Sequence, residues 1–245
     1  MSPEECLKKG LCDLYRLGTF TDFTIKYGSC VAGVHKAIIC AQSEYFKIAC
    51  DSNSFKEGRT NTITLDTSDD PASDDPEAVG KMIHYFYFLD YEVGKRGAGL
   101  ETPAVAADLV SEDDHALAHA KIFAVAEKYQ VPGLKELAVG KFKAAMEVHE
   151  KHPDFAEVVT TVFATTPETV RDLRDIVSTR LTTNPNLLDS KDIESAVNSV
   201  SGLTFELLRQ AHKATAALKM SRTNWGPPTT CYRCLRFAKR CGTCK

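Results

Sequence analysis

The strongest constraint on this chain lies in residues 22–35. Residues 22–27 (DFTIKY) alternate, placing Phe23, Ile25 and Tyr27 on one face, Gly28-Ser29 is a turn signal, and residues 30–35 read as the strand coming back. Alternation on both sides of a two-residue glycine turn predicts a β-hairpin with one face toward a core. One more short strand follows at residues 62–65 (TITL). Almost every other periodic segment has the helical period, so the strands form a small sheet in a mostly helical chain, an α+β arrangement.

Residues 4–17 (EECLKKGLCDLYRL) carry Leu7, Leu11, Leu14 and Leu17 at helical spacing, and Gly18 stops that helix. Residues 36–41 predict a short apolar helix. Ser43 caps the next, whose apolar face is Tyr45, Phe46, Ile48 and Ala49. Residues 66–77 hold six acids and two prolines and predict a solvated loop. Residues 77–89 are helical, with Val79, Met82, Ile83, Phe86 and Leu89 toward the core, and residues 94–112 read as a long surface loop. Residues 114–129 and 132–149 are two further helices, the second opened by Pro132. Beyond Pro153 three helical segments are predicted. Phe155, Val158, Val159, Val162 and Phe163 stripe the first. Val170, Leu173, Ile176, Val177 and Leu181 stripe the second, which Thr166-Pro167 caps. Leu203, Leu207, Leu208, Ala211 and Ala214 stripe the third. No repeat of 20–50 residues is present, which argues against a solenoid or propeller.

Length and charge set the outer limits. A chain of 245 residues allows one large domain or two small ones, at about 100–200 residues each. A net charge of −3 excludes a protein that coats DNA along its whole length. No apolar run approaches the roughly 20 residues that span a membrane. The start, MSPEECLKKGLC, has charges where a signal peptide needs an apolar core. The sequence therefore predicts an intracellular protein, cytoplasmic or nuclear, with no membrane partner. Its nine cysteines are an odd number and divide unevenly. Cys6, Cys12, Cys30, Cys40 and Cys50 lie among apolar neighbours and read as reduced, buried thiols. Cys231, Cys234, Cys241 and Cys244 share the C-terminal segment with Arg233, Arg236, Lys239, Arg240 and Lys245 and with no acid.

Several short motifs fall in one order. Gly18-x-Phe20-x-Asp22-Phe23-Thr24-Ile25 comes first, then His35-Lys36, Ile38-Ile39 and Ser43-x-Tyr45-Phe46. Phe55-Lys56-Glu57, Ile63-x-Leu65, Tyr85-x-Tyr87 and Ala126-x-Lys128-Tyr129-x-Val131-x-x-Leu134 follow. Over residues 15–145 this set resembles the BTB/POZ family. The insertion near residues 90–112, the helical tail and the terminal cysteines resemble fungal BTB proteins. The resemblance implies a BTB/POZ domain over residues 15–149, with a small mixed sheet and a helical cluster. A helix over residues 4–17 precedes it as a dimer element. An all-α extension over residues 150–222 follows, then a linker and a basic four-cysteine tail over residues 223–245. The implied role is non-catalytic protein–protein interaction, with self-association as a homodimer.

Asp22 starts one hairpin strand and His35 ends the other, and antiparallel pairing sets them close. A carboxylate–imidazole hydrogen bond fixing the strand-to-helix corner is expected there. In some family members an acid and a basic residue at the positions of Asp22 and Lys36 line a groove for partner peptides; Lys stands here for the more usual Arg. Phe55, in a segment without helical or strand period, has two readings. It is an apolar anchor within the body or, by resemblance to BTB adaptors of cullin ubiquitin ligases, the apolar member of a triplet with Glu57 that inserts into the cullin. Two functions stay open. One is a substrate adaptor for a cullin-type ubiquitin ligase. The other is a nuclear regulatory protein assembled by its BTB domain, whose basic tail contacts nucleic acid.

The tail reads Cys-x2-Cys-x6-Cys-x2-Cys, two knuckles offering four soft thiolates, and predicts one structural Zn²⁺ that supplies the tail's folding energy, the other readings being free thiols or a disordered tail. Enzyme chemistry finds no GxSxG, GxxxxGK[ST], HExxH or GxGxxG. His115 and His119, four apart behind Asp113 and Asp114, read as ordinary surface or partly buried histidines, and His149 and His152 flank a helix end before Pro153, where a cation near the last carbonyls needs no ligand role. Cys40 and Cys50 read as inert thiols. The run Tyr85, Phe86, Tyr87, Phe88 and Tyr91 reads as core and dimer-edge packing rather than a base-stacking platform.

Overall fold

The computed structural model describes residues 2–51, 54–67, 73–93, 115–148 and 154–223. The hairpin forms as its alternation predicts. β1 (Phe23–Tyr27) and β2 (Cys30–Val34) pair antiparallel, with Phe23 opposite Val34 and Tyr27 opposite Cys30. Gly28, at φ +53°, supplies the left-handed conformation that opens the turn. β3 (Thr62–Leu65) joins the other side of β1 in parallel, Ile25 opposite Ile63, so the sheet is mixed and ordered β2-β1-β3. A parallel pair needs a crossover. Here it is α2 (Lys36–Gln42), α3 (Glu44–Ala49) and α4 (Lys56–Thr60). Phe23, Ile25, Val34, Ile63 and Leu65 are all buried.

Upstream, α1 (Pro3–Leu17) opens with a reciprocal cap: the Glu5 N–H donates to the Ser2 hydroxyl at 3.2 Å, and the Ser2 N–H to the Glu5 carboxylate at 2.6 Å. Gly18, at φ +59°, ends the helix. No residue of α1 is buried. It leans on α5 (Pro76–Phe88) through Tyr15, whose ring centroid lies 4.9 Å from Tyr87 and 5.7 Å from Phe88. α5 is capped by Asp75, which accepts the N–H groups of Glu77 and Ala78 at 2.9 and 3.0 Å. Its Val79, Met82, Ile83 and Phe86 are buried as expected. Leu89 is not, because it sits past the helix end at φ +57°.

α6 (Ala116–Lys128) and α7 (Pro132–Val148) pack on each other, and α8 (Phe155–Thr165) packs on α6. One apolar core runs from Phe23 in the sheet through Phe123 and Val162 to Leu207, so the C-terminal helices share it with the sheet. Among the described residues, four α-helices rather than three follow residue 153: α8, α9 (Asp172–Thr183), α10 (Lys191–Ser199) and α11 (Leu203–Thr223). The unexpected α10 buries only Ile193, Ala196 and Val197, too short a stripe to stand out in a polar stretch. Thr166-Pro167 does not cap α9, which begins at Asp172. Thr166 instead terminates α8. There the buried Arg174 donates to the Thr166 hydroxyl at 3.0 Å, to the Phe163 carbonyl at 3.0 Å and to the Thr166 carbonyl. A cation thus satisfies carbonyls that the helix end leaves open. Among the described residues no helix is long and apolar enough to cross a membrane. The expected loop over residues 94–112 and the cysteine tail lie outside the described residues.

Candidate partner-binding surface

The strand-to-helix corner is not the expected Asp22–His35 pair. Asp22 Oδ1 accepts the backbone N–H of Lys36 at 2.7 Å, an orphan donor of the first turn of α2. The His35 ring is held elsewhere, with Nδ1 2.9 Å from the Tyr87 hydroxyl and Nε2 2.7 Å from the Thr19 carbonyl. The Tyr87 hydroxyl also accepts the His35 backbone N–H at 3.0 Å. Having accepted that N–H, it donates to Nδ1, and Nε2–H donates to Thr19. Burial pushes the Tyr87 phenol up to about 12, which keeps it a donor. The register did bring Asp22 to the corner, but Tyr87 arrives from α5, and no local sequence signal announces it.

The Lys36 ammonium donates to Asn61 Oδ1 at 2.5 Å and lies 5.6 Å from the centre of the Phe23 ring. Asn61 ends α4 in the left-handed conformation, at φ +52°, and its carbonyl accepts the Thr24 N–H at 2.9 Å. Lys36 therefore ties the start of α2 to the end of α4. Phe55 stands at the other end of α4 as its N-cap residue, with Glu57 in the first turn. The segment expected to lack period is thus a short helix, about 7.5 Å long at 1.5 Å per residue. Asp22 with Lys36, and Phe55 with Glu57, come from separate motifs: Lys36, held at its backbone by Asp22, meets Asn61 at the end of α4, and Phe55 and Glu57 lie at its start.

Phe55 is 45% exposed, so the apolar-anchor reading fails. Ile48, at the end of α3, was expected on an apolar face and is 49% exposed. The Asp51 N–H donates to the Ile48 carbonyl at 3.1 Å, and the Phe55 N–H to the Asp51 carbonyl at 3.2 Å. Glu57 is half-buried and close enough to Tyr45 to add to the rise that burial causes in that phenol. Two exposed apolar side chains beside fixed charges of both signs suit recognition of a protein surface.

The remaining candidates are chemically quiet. Burial pushes the Cys50 thiol up to about 12 and raises its hydrogen-bonded neighbour Cys40 as well, which makes both poor nucleophiles near neutral pH. Cys6 and Cys30 are exposed rather than buried. His119 is buried, 2.9 Å from the Tyr91 hydroxyl, and is pushed down to about 4 by burial first, with Lys141 and His115 adding to it. Tyr85, Phe86, Tyr87 and Tyr91 are buried, which removes them from any stacking platform. A cavity of about 100 Å³ between α5 and α6 is small against the roughly 300–1,000 Å³ of ligand pockets. Among the described residues no group of three or more His, Cys, Asp or Glu is placed to hold a metal. Cys231, Cys234, Cys241 and Cys244 lie outside the described residues, as do His149, His152, Asp113 and Asp114.

No curated protein matches the chain. Residues 11–97, from within α1 through α5, match the BTB/POZ domain family.

Proposed function

Since residues 11–97 form a BTB/POZ domain, we propose that this protein is a non-catalytic substrate adaptor for a cullin-type ubiquitin ligase. The domain is a protein-interaction module, and the finer assignment rests on Phe55. A large aromatic nearly half exposed at the N-cap of a short helix, with Glu57 two residues on, is not serving the core of its own chain. It is shaped as an anchor for a pocket on another protein, with a charge beside it to set register. Asp22 and Lys36 extend the same surface toward α2. The reading includes pairing of two copies through α1, which has no fully buried residue and leaves Leu7 and Leu17 largely in solvent. It also includes one Zn²⁺ held as a structural ion by the thiolates of Cys231, Cys234, Cys241 and Cys244.

The test is capture from a native extract by the full chain and by the Phe55→Ala, Glu57→Ala variant. The expected result is recovery of a cullin by the parent chain. The variant loses it while melting within a few degrees of the parent, because exposed substitutions change stability by only about 0.5 kcal/mol. Recovery of chromatin proteins without a cullin, or a variant that captures as well as the parent, would overturn the assignment.

A further inference from the structure

The outer edge of β2 pairs with nothing among the described residues. Sheet edges are usually blunted by a charge, a proline or a bulge. β2 reads Cys-Val-Ala-Gly-Val, and its register with β1 is unbroken from Val34 to Cys30, so it has none of the three. Tyr27 and Cys30 flank a two-residue turn and exchange backbone hydrogen bonds; by alternation so do Ile25 with Ala32 and Phe23 with Val34. The N–H and C=O groups of Val31 and Gly33 are left pointing outward. Val31 is 67% exposed.

We propose that this edge is a second self-recognition surface, pairing antiparallel with the β2 edge of another copy about a two-fold axis at Ala32. The occupant follows from the edge itself. In that register Val31 of one copy lies opposite Gly33 of the other. Each such pair exchanges both of its backbone hydrogen bonds, so no outward donor or acceptor of the two residues stays open. The Val31 side chain then covers a position that has none. A Cβ on Gly33 would stand 3.2 Å from the Thr21 methyl and 3.3 Å from its hydroxyl, so glycine and the Thr21 side chain together form a shallow step that a valine fills. The strand carries no charge, so two copies approach without like-charge repulsion. Phe20, held at φ +62° and 86% exposed, precedes Thr21 and extends the apolar rim. This face is distinct from α1, and with both in use pairs of copies are joined into larger assemblies.

Disulfide trapping in the full chain tests the register. Ala32→Cys places two thiols across the axis in a non-hydrogen-bonded pair, with Cα atoms about 4.5 Å apart, inside disulfide range. With oxidised glutathione as the oxidant, each link consumes two thiols and one glutathione disulfide and releases two reduced glutathiones. The expected product is a covalent dimer whose cross-link, by peptide mass spectrometry, joins position 32 to position 32. Its yield falls about tenfold or more when Val31→Lys is added. No 32–32 link, or a yield indifferent to Val31→Lys, overturns the proposal. So does an unchanged mass in sedimentation equilibrium when Val31→Lys is made alone, a variant whose exposed side chain leaves the fold intact. Leu7→Lys on α1 leaves the 32–32 link in place, so failure of pairing through α1 and failure of the β2 edge are read separately.

Discussion

α1 and α5 lie against each other, both with apolar residues at helical spacing, yet α1 buries no residue and α5 buries seven. Each large α5 side chain removed from water contributes about 1.5–3 kcal/mol. Leu7 and Leu17 of α1 stay largely in solvent. The contact between the helices is a rim: Tyr15 against Tyr87 and Phe88, and the Cys12 thiol 3.8 Å from the Tyr87 carbonyl. A periodic stripe announces that a helix has an apolar face. It does not say whether that face covers its own core: the α5 stripe does, while α1 leaves Leu7 and Leu17 in solvent.

The comparison breaks if the two helices respond alike to mutation. Phe86→Ala on α5 is expected to lose about 3–5 kcal/mol of unfolding free energy in urea, the cost of emptying a fully buried aromatic site. Leu7→Lys on α1 is expected to stay within about 0.5 kcal/mol of the parent. By light scattering that variant should show a lower mass, since α1 is read as a self-association face. Equal destabilisation by the two substitutions would mean that α1 belongs to the core after all.

Acid sharpens the contrast, because the buried region next to α5 holds a histidine that folding keeps neutral. His119 titrates near 4 in the folded protein against about 6.5 when unfolded, so on acidification the unfolded chain takes up its proton first. Stability from this group is complete above about pH 6.5, falls between there and pH 4, and then levels, a loss of about 3 kcal/mol in all. Asp75 and Asp90, held below the ordinary carboxylate range by hydrogen bonds and by Lys121 and Lys141 respectively, add losses only at lower pH. Urea titrations at pH 7, 5.5 and 4.5 should show the slope, and His119→Gln should flatten it. A parent chain equally stable at all three values would mean that His119 is hydrated.

The smallest effect on the body is expected at the tail. Metal analysis of the reduced, tag-free chain should find about one zinc per molecule, and any single Cys→Ser change at 231, 234, 241 or 244 should release it. The main melting transition should not move if the tail is the separate unit that the Pro227-Pro228 pair ahead of it in the sequence predicts. Less than about 0.2 zinc per chain counts against a four-thiolate site.

Local pattern alone was enough for the hairpin, its turn at Gly28, the short strand at 62–65 and most helices, because each rests on contacts a few residues apart. The ordered motifs were likewise enough for the BTB/POZ domain. The sequence also marked Phe55 and Glu57, but as a triplet with two opposed readings. Only the packed structure could remove the buried-anchor reading of Phe55, since exposure depends on every neighbour that does or does not cover a side chain. The same holds for the Asp22 corner. Register brought Asp22 near His35, but a buried tyrosine from another helix claimed the imidazole, and the carboxylate took the nearest orphan N–H instead. Sequence determined where the three strands and most of the longer helices lie. Tertiary structure decided which apolar faces meet and which polar groups find each other, because burial and hydrogen-bond competition are settled among residues far apart in the chain.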